Sequence, residues 1–115
     1  MKNKTPQFRA DRVLFLEETD DRWPEYRKQL EERGFADSEN WNLDFTIACF
    51  ILPRLKAFKK QDGGYPGSFK SCRDWELVLN KMIKALESIV EGKNNDRVEK
   101  EGLKLLFEKF HCLWN

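Results

Sequence analysis

Histidine is almost missing from this sequence: His111 is the only one in 115 residues. Cysteine is scarce too, and Cys49, Cys72 and Cys112 are far apart, with none in a C-x-x-C pair. A structural zinc site needs four clustered Cys or His ligands, so neither a metal centre nor any other cofactor is expected. A nucleophile needs a base aligned with it. His111 and Cys112 are adjacent, and adjacent helical residues point about 100° apart, so no catalytic residue is assigned and the chain does not read as an enzyme. Three dispersed cysteines fit free thiols in a reducing cytoplasm, with Cys49 and Cys112 in apolar surroundings that suit core thiols. Net charge is nearly absent, since 21 basic and 20 acidic residues leave +1. That gives no global pull towards nucleic acid or a membrane surface. No apolar run reaches the roughly 18 residues of a membrane span, and the opening MKNKTPQFRADR is too polar for a signal peptide.

What is present is aromatic and charged. Nine Phe, four Trp and two Tyr accompany 36% charged residues. Disordered chains are poor in aromatics, and this length suits one domain. The expectation is a single all-α domain over 1–115, a small bundle of about four helices, with 1–11 a loose polar lead-in.

The richest stretch is NLDFTIACFILPRLKAFKK, Asn42 to Lys60. On a helical wheel its apolar residues cover about 200°, roughly twice the stripe that one packing partner needs. It therefore reads as the central and most buried helix, touching neighbours on two sides, with Asn40 or Asn42 as its cap. Asp44 in the first turn and Lys56, Lys59 and Lys60 near the end suit the helix dipole. Pro53 removes the hydrogen bond to the Cys49 carbonyl and is expected to kink the helix. This helix offers more apolar surface than one small bundle covers, so a homo-oligomer is expected.

The other elements follow from local signals. Val13-Leu14-Phe15-Leu16 lacks a partner strand and reads as an extended segment or a helical turn lying on the bundle. Thr19-Asp20-Asp21 and Pro24 open a helix that runs to Arg33, stops at Gly34 and is followed by Phe35 docking back. Residues 36–41 form a connector, and QDGGYPGSFK, 61–70, is a turn region without the spacing of a phosphate-binding loop. Ser71 and Asp74 resemble a capping box for a helix to about Glu91. Its stripe of Trp75, Val78, Leu79, Met82, Ile83, Leu86 and Val90 is the clearest periodicity in the chain. Gly92 ends it. Asn94 or Asn95 starts a last helix whose stripe is Leu103, Leu106, Phe107, Phe110, Leu113 and Trp114. Gly102 inside this helix implies a close crossing, and the short connection implies antiparallel packing.

Two charges fall inside the apolar sector of the Asn42–Lys60 helix, Arg54 near its middle and Asp44 towards its side. A charge there must be paired, reach the rim or serve a ligand. The alternatives for Arg54 are snorkelling or pairing with a carboxylate, and holding an anionic group with Lys56, Lys59 or Lys60 nearby. Trp75 and Trp114 read as core. Trp23, Trp41 and Tyr65 lie in connectors and are candidates for an interaction face. The basic run at Lys56–Lys60 is short, and the last two helices alternate Lys with Glu, which disfavours nucleic-acid binding.

The run WNLDFTIACFILPRLKAFK, Trp41 to Lys59, followed by Gly64-Tyr65-Pro66, Trp75-Glu76 and Asn80-Lys81-Met82-Ile83, resembles small uncharacterised helical proteins of bacteriophages and prophages. The shared pattern is W-x-L-D, I-L-P-R-L, G-Y-P and a helix carrying K-M-I, over roughly residues 41–90. The chain departs from it before Trp75, where Phe69-Lys70-Ser71-Cys72-Arg73 replaces an acidic segment. The resemblance implies expression in the cytoplasm of a bacterial host and an accessory role. The function expected is binding of a host or phage protein, with interference in a host defence as one form. The alternative is binding or sequestering a small anionic ligand such as a nucleotide.

Overall fold

The computed structural model describes residues 13–61 and 64–114, and these are all-helical. The lead-in 1–11 lies outside the described residues. Among the described residues four α-helices follow in order: α1 (Trp23–Arg33), α2 (Leu43–Lys60), α3 (Cys72–Val90) and α4 (Asp96–Glu108). Two 3-10 turns, Asp37–Asn40 and Phe110–Cys112, complete the list. The described residues contain no strand, and none of their helices is long and apolar enough to cross a membrane. The chain divides into two compact units, 1–47 and 48–115.

In the first unit Val13, Leu30 and Ala36 are buried together, with Leu16, Trp23 and Tyr26 packed against them. The segment at 13–16 is a turn, and Phe15 holds a φ of 67°, a left-handed conformation that side chains with a Cβ avoid. Pro24 sits in the first turn of α1, where its missing N–H costs nothing. The acidic segment ahead of it acts differently from a helix cap. Asp20 accepts hydrogen bonds from Arg22 N–H at 2.8 Å, Nε at 3.0 Å and Nη2 at 2.9 Å. Those side-chain bonds hold the Asp20 carboxyl down at about 2. Gly34 ends α1 at φ 87°, its N–H reaching the Leu30 carbonyl. Phe35 does not dock back: it is exposed, with the Arg33 guanidinium 4.2 Å from its ring centroid.

The second unit is built on α3 and α4. Ser71 caps α3 by accepting from Asp74 N–H at 3.2 Å, and Asn95 caps α4 by accepting from Val98 N–H at 3.3 Å. The two helices run antiparallel, because Ala85 and Lys81 face Gly102 while Ser88 bonds to Glu99 and to the amide of Asn95. Gly102 is where they cross. A Cβ there would lie 2.3 Å from Ala85 Cβ and 2.4 Å from the Lys81 carbonyl oxygen. Lys81 Nζ to Glu101 at 2.9 Å and Ser88 Oγ to Glu99 at 2.7 Å fasten the pair on either side of this notch.

The most buried helix is α3, with Trp75, Leu79, Met82, Ile83, Ala85, Leu86 and Ser88 all inside, and not α2 as its wide stripe implied. Helix α2 meets α3 through the side chains of Ala48, Leu52 and Leu55. Its opposite face is solvent-exposed: Leu43, Ile47 and Phe50 are 50%, 49% and 43% exposed. The 200° stripe is two apolar faces back to back, one packed and one open. Pro53 lies within α2 on its exposed side.

Candidate functional site

Arg54 falls on the open face of α2. Its Nη1 donates to the Phe50 carbonyl at 2.8 Å, and its guanidinium carbon lies 3.7 Å from the Phe50 ring centroid. The charge thus reaches solvent while its stem and fork rest on its own helix. Arg54 lines neither of the two cavities described below. Asp44 is exposed in the first unit and accepts from Phe45 N–H at 2.8 Å. Of the five charged residues singled out from the sequence, only Lys56, Lys59 and Lys60 come together.

They do so along a cavity of about 830 Å³ in the second unit. The end of α2 forms one wall, residues 64–67 another, α3 the floor, and the 3-10 turn with Trp114 the far side. The floor is apolar, since Trp75, Leu79 and Ile83 are core residues that reach it from below. Glu76 and Asn80 place a carboxylate and an amide on the same helix. Lys56 is paired with Glu87 at 3.1 Å. Lys59 and Lys60 have no carboxylate partner among the described residues. Tyr65 and Trp114 stand at the rim, 46% and 75% exposed. Trp114 is therefore not a core residue. Past α4 the backbone turns through the 3-10 segment, and the ring is carried out to the cavity rim. Cys72 and His111 also face this cavity. Among the described residues no group of His, Cys, Asp and Glu is arranged to hold a metal ion.

A second surface lies on α4 and the start of the 3-10 turn that follows it. Leu103, Phe107 and Phe110 form an apolar flank with Leu106 at its base and Lys100 and Lys104 on its edge, around a shallow cavity of about 540 Å³. Phe107 is 86% exposed and Phe110 59%. Both were expected in the core. The close approach at Gly102 turns them aside: the notch brings the Gly102 face of α4 against α3, and the packed side chains are then Leu105 and Leu106. Lys100 pairs with Asp96 at 3.2 Å, whereas Lys104 has no partner among the described residues.

The connector aromatics divide. Trp23 is half-buried in the core of the first unit. Trp41 is 45% exposed, with the Tyr26 ring edge-on at 6.0 Å and the Arg22 guanidinium 5.1 Å from its centroid. Tyr65 is in the cavity wall already described. Of the thiols, Cys49 is fully buried and burial pushes it up to about 11, while Cys72 is exposed and Cys112 intermediate. No protein-family model, no curated protein and no solved structure matches this chain.

Proposed function

We propose that this is a non-enzymatic accessory protein of bacteriophage type, which acts in the bacterial cytoplasm by binding a host or phage protein. The observation that carries this reading is the flank of α4. Monomeric proteins scatter single apolar residues over their surface, but contiguous exposed aromatic patches mark interaction sites. Leu103, Phe107 and Phe110 are contiguous, and two of them are aromatic, a type enriched where interfaces are strongest. The unpaired Lys104 at the edge favours a partner that brings a carboxylate. A second copy of this chain would bring the same positive edge, so a different protein fits better than a homodimer through this face. The resemblance of the 41–90 stretch to small phage proteins supports the setting, and interference with a host defence is the form of the role it favours.

Retention of proteins from phage-infected bacterial cells on the purified, immobilised chain tests this. Phe107 contributes little to the fold because it is almost wholly exposed, so Phe107→Asp leaves the bait folded. A partner held by the wild-type chain is expected to be lost from the Phe107→Asp bait. In a titration with the identified partner, Phe107→Ala is expected to weaken binding about 30-fold, as for an aromatic anchor worth about 2 kcal/mol. If every retained protein is held equally by both baits, the proposal fails.

A further inference from the structure

The cavity at the end of α2 is separate from the α4 flank, and its chemistry is of another kind. We propose that it binds a nucleotide, with the phosphate on Lys59 and Lys60 and the base against Tyr65 and Trp114 above the Trp75 floor. Four features converge on this class. First, the volume of about 830 Å³ lies within the range of small-molecule sites, and the floor is apolar. Second, Lys59 and Lys60 are ammonium groups with no carboxylate partner among the described residues, whereas their neighbour Lys56 is already neutralised by Glu87. Third, Tyr65 and Trp114 present exposed flat rings at the rim, and a planar base gains from stacking on such rings whatever its identity. Fourth, Glu76 and Asn80 stand on α3 within the same cavity. A carboxylate accepts from a base N–H and an amide both donates and accepts, as a base edge requires. A simple inorganic anion would use only the lysines and leave the rings and the amide idle. A neutral aromatic would leave two ammonium groups unmatched.

None of these residues lies on the α4 flank, so failure of one proposal leaves the other standing. The test uses the four indole N–H signals in a two-dimensional NMR spectrum of the full chain. Trp75 and Trp114 line the cavity, and Trp23 and Trp41 do not. The probes are the four ribonucleoside 5′-monophosphates, with ribose 5-phosphate and inorganic phosphate as fragments. At least one nucleotide is expected to shift the Trp114 and Trp75 signals saturably and leave Trp23 and Trp41 in place. The fragments are expected to bind about tenfold more weakly for want of the stacked base. Lys59→Gln with Lys60→Gln, both away from the core, is expected to weaken the nucleotide by tenfold or more. Lys84→Gln, an exposed lysine that lines neither cavity, is expected to change nothing. The proposal is overturned if no nucleotide moves Trp114, if inorganic phosphate binds as well as the nucleotide, or if the double lysine variant binds unchanged.

Discussion

Gly102→Ala is the sharpest test of the α3–α4 packing. The added methyl would sit 2.3 Å from Ala85 Cβ and 2.4 Å from the Lys81 carbonyl oxygen, with the Lys81 carbonyl carbon at 3.2 Å. Two of these three atoms are backbone, so no side-chain rotation relieves the clash and the helices must separate. Overpacking a core costs about 1–3 kcal/mol, and a clash with a helix backbone belongs at or above the upper end. Against this, Ala favours a helix over Gly by about 1 kcal/mol. The net expectation is a loss of about 2 kcal/mol, or on the order of 10 °C in Tm for a unit of this size. Urea denaturation followed by far-UV circular dichroism measures it, with the slope m checked for constancy. Adding Ala85→Gly removes the Cβ contact but keeps the one with the Lys81 carbonyl. The double variant is therefore expected to recover part of the clash energy as a favourable coupling. If Gly102→Ala is as stable as the wild type, or more so, the helix crossing is not where it has been placed.

Two further outcomes follow from the second unit. Ser88 is 4% exposed, donates to Glu99 at 2.7 Å and accepts from Asn95 N–H at 3.3 Å. Ser88→Ala removes both bonds and leaves a carboxylate oxygen and an amide short of a partner, so a cost of about 1–3 kcal/mol is expected in the same urea assay. The thiols are expected to separate in a disulfide-exchange labelling assay at pH 8: Cys72 reacts first, Cys112 more slowly, and Cys49 only at the rate of unfolding. Burial raises Cys49 from 9.0 to about 11. The unfolded chain therefore loses this proton first, and the neutral thiol's contribution to stability is full below pH 9 and falls as pH rises towards 11. Fast labelling of Cys49 in the native protein would place it outside the core.

How far the sequence disclosed all this depends on whether local and tertiary signals agree. They agree in α3: the Ser71 cap, the stripe from Trp75 to Val90 and the stop at Gly92 all point the same way, and the helix observed is Cys72–Val90. They agree at Gly102 as well, where a glycine inside a helix has no local use and the expected close crossing is found. The cavity was legible only in pieces. Lys56, Lys59 and Lys60 and Tyr65 were singled out, but Glu76, Asn80 and Trp114 were not placed with them. Those residues come from four separate segments, and no local periodicity brings such segments together.

The misplaced residues of α4 share one cause. A wheel weights apolar side chains, and glycine has none, so the stripe of α4 was centred on its large residues. With Gly102 at zero, the packed residues Leu105 and Leu106 lie within about 60°, while Leu103 and Phe107 fall at about 100° and 140°. The closest contact is made by the residue that contributes nothing to the count, and recentring on it predicts which side chains are left outside. Helix α2 carried a comparable marker. Arg54 sits at about 20° on its wheel, between Leu43 and Ile47, and a guanidinium is not buried without a partner. Its presence divides a 200° apolar sector into a packed face near Leu52 and an open one around itself, as observed. Folding uses only the packed face. A lone exposed Leu would need no explanation, but contiguous Phe107, Phe110 and Leu103 beside an unpaired Lys104 exceed what scatter provides. Beside α4, the apolar residues in excess of the core's needs are thus the ones to which a binding role is assigned.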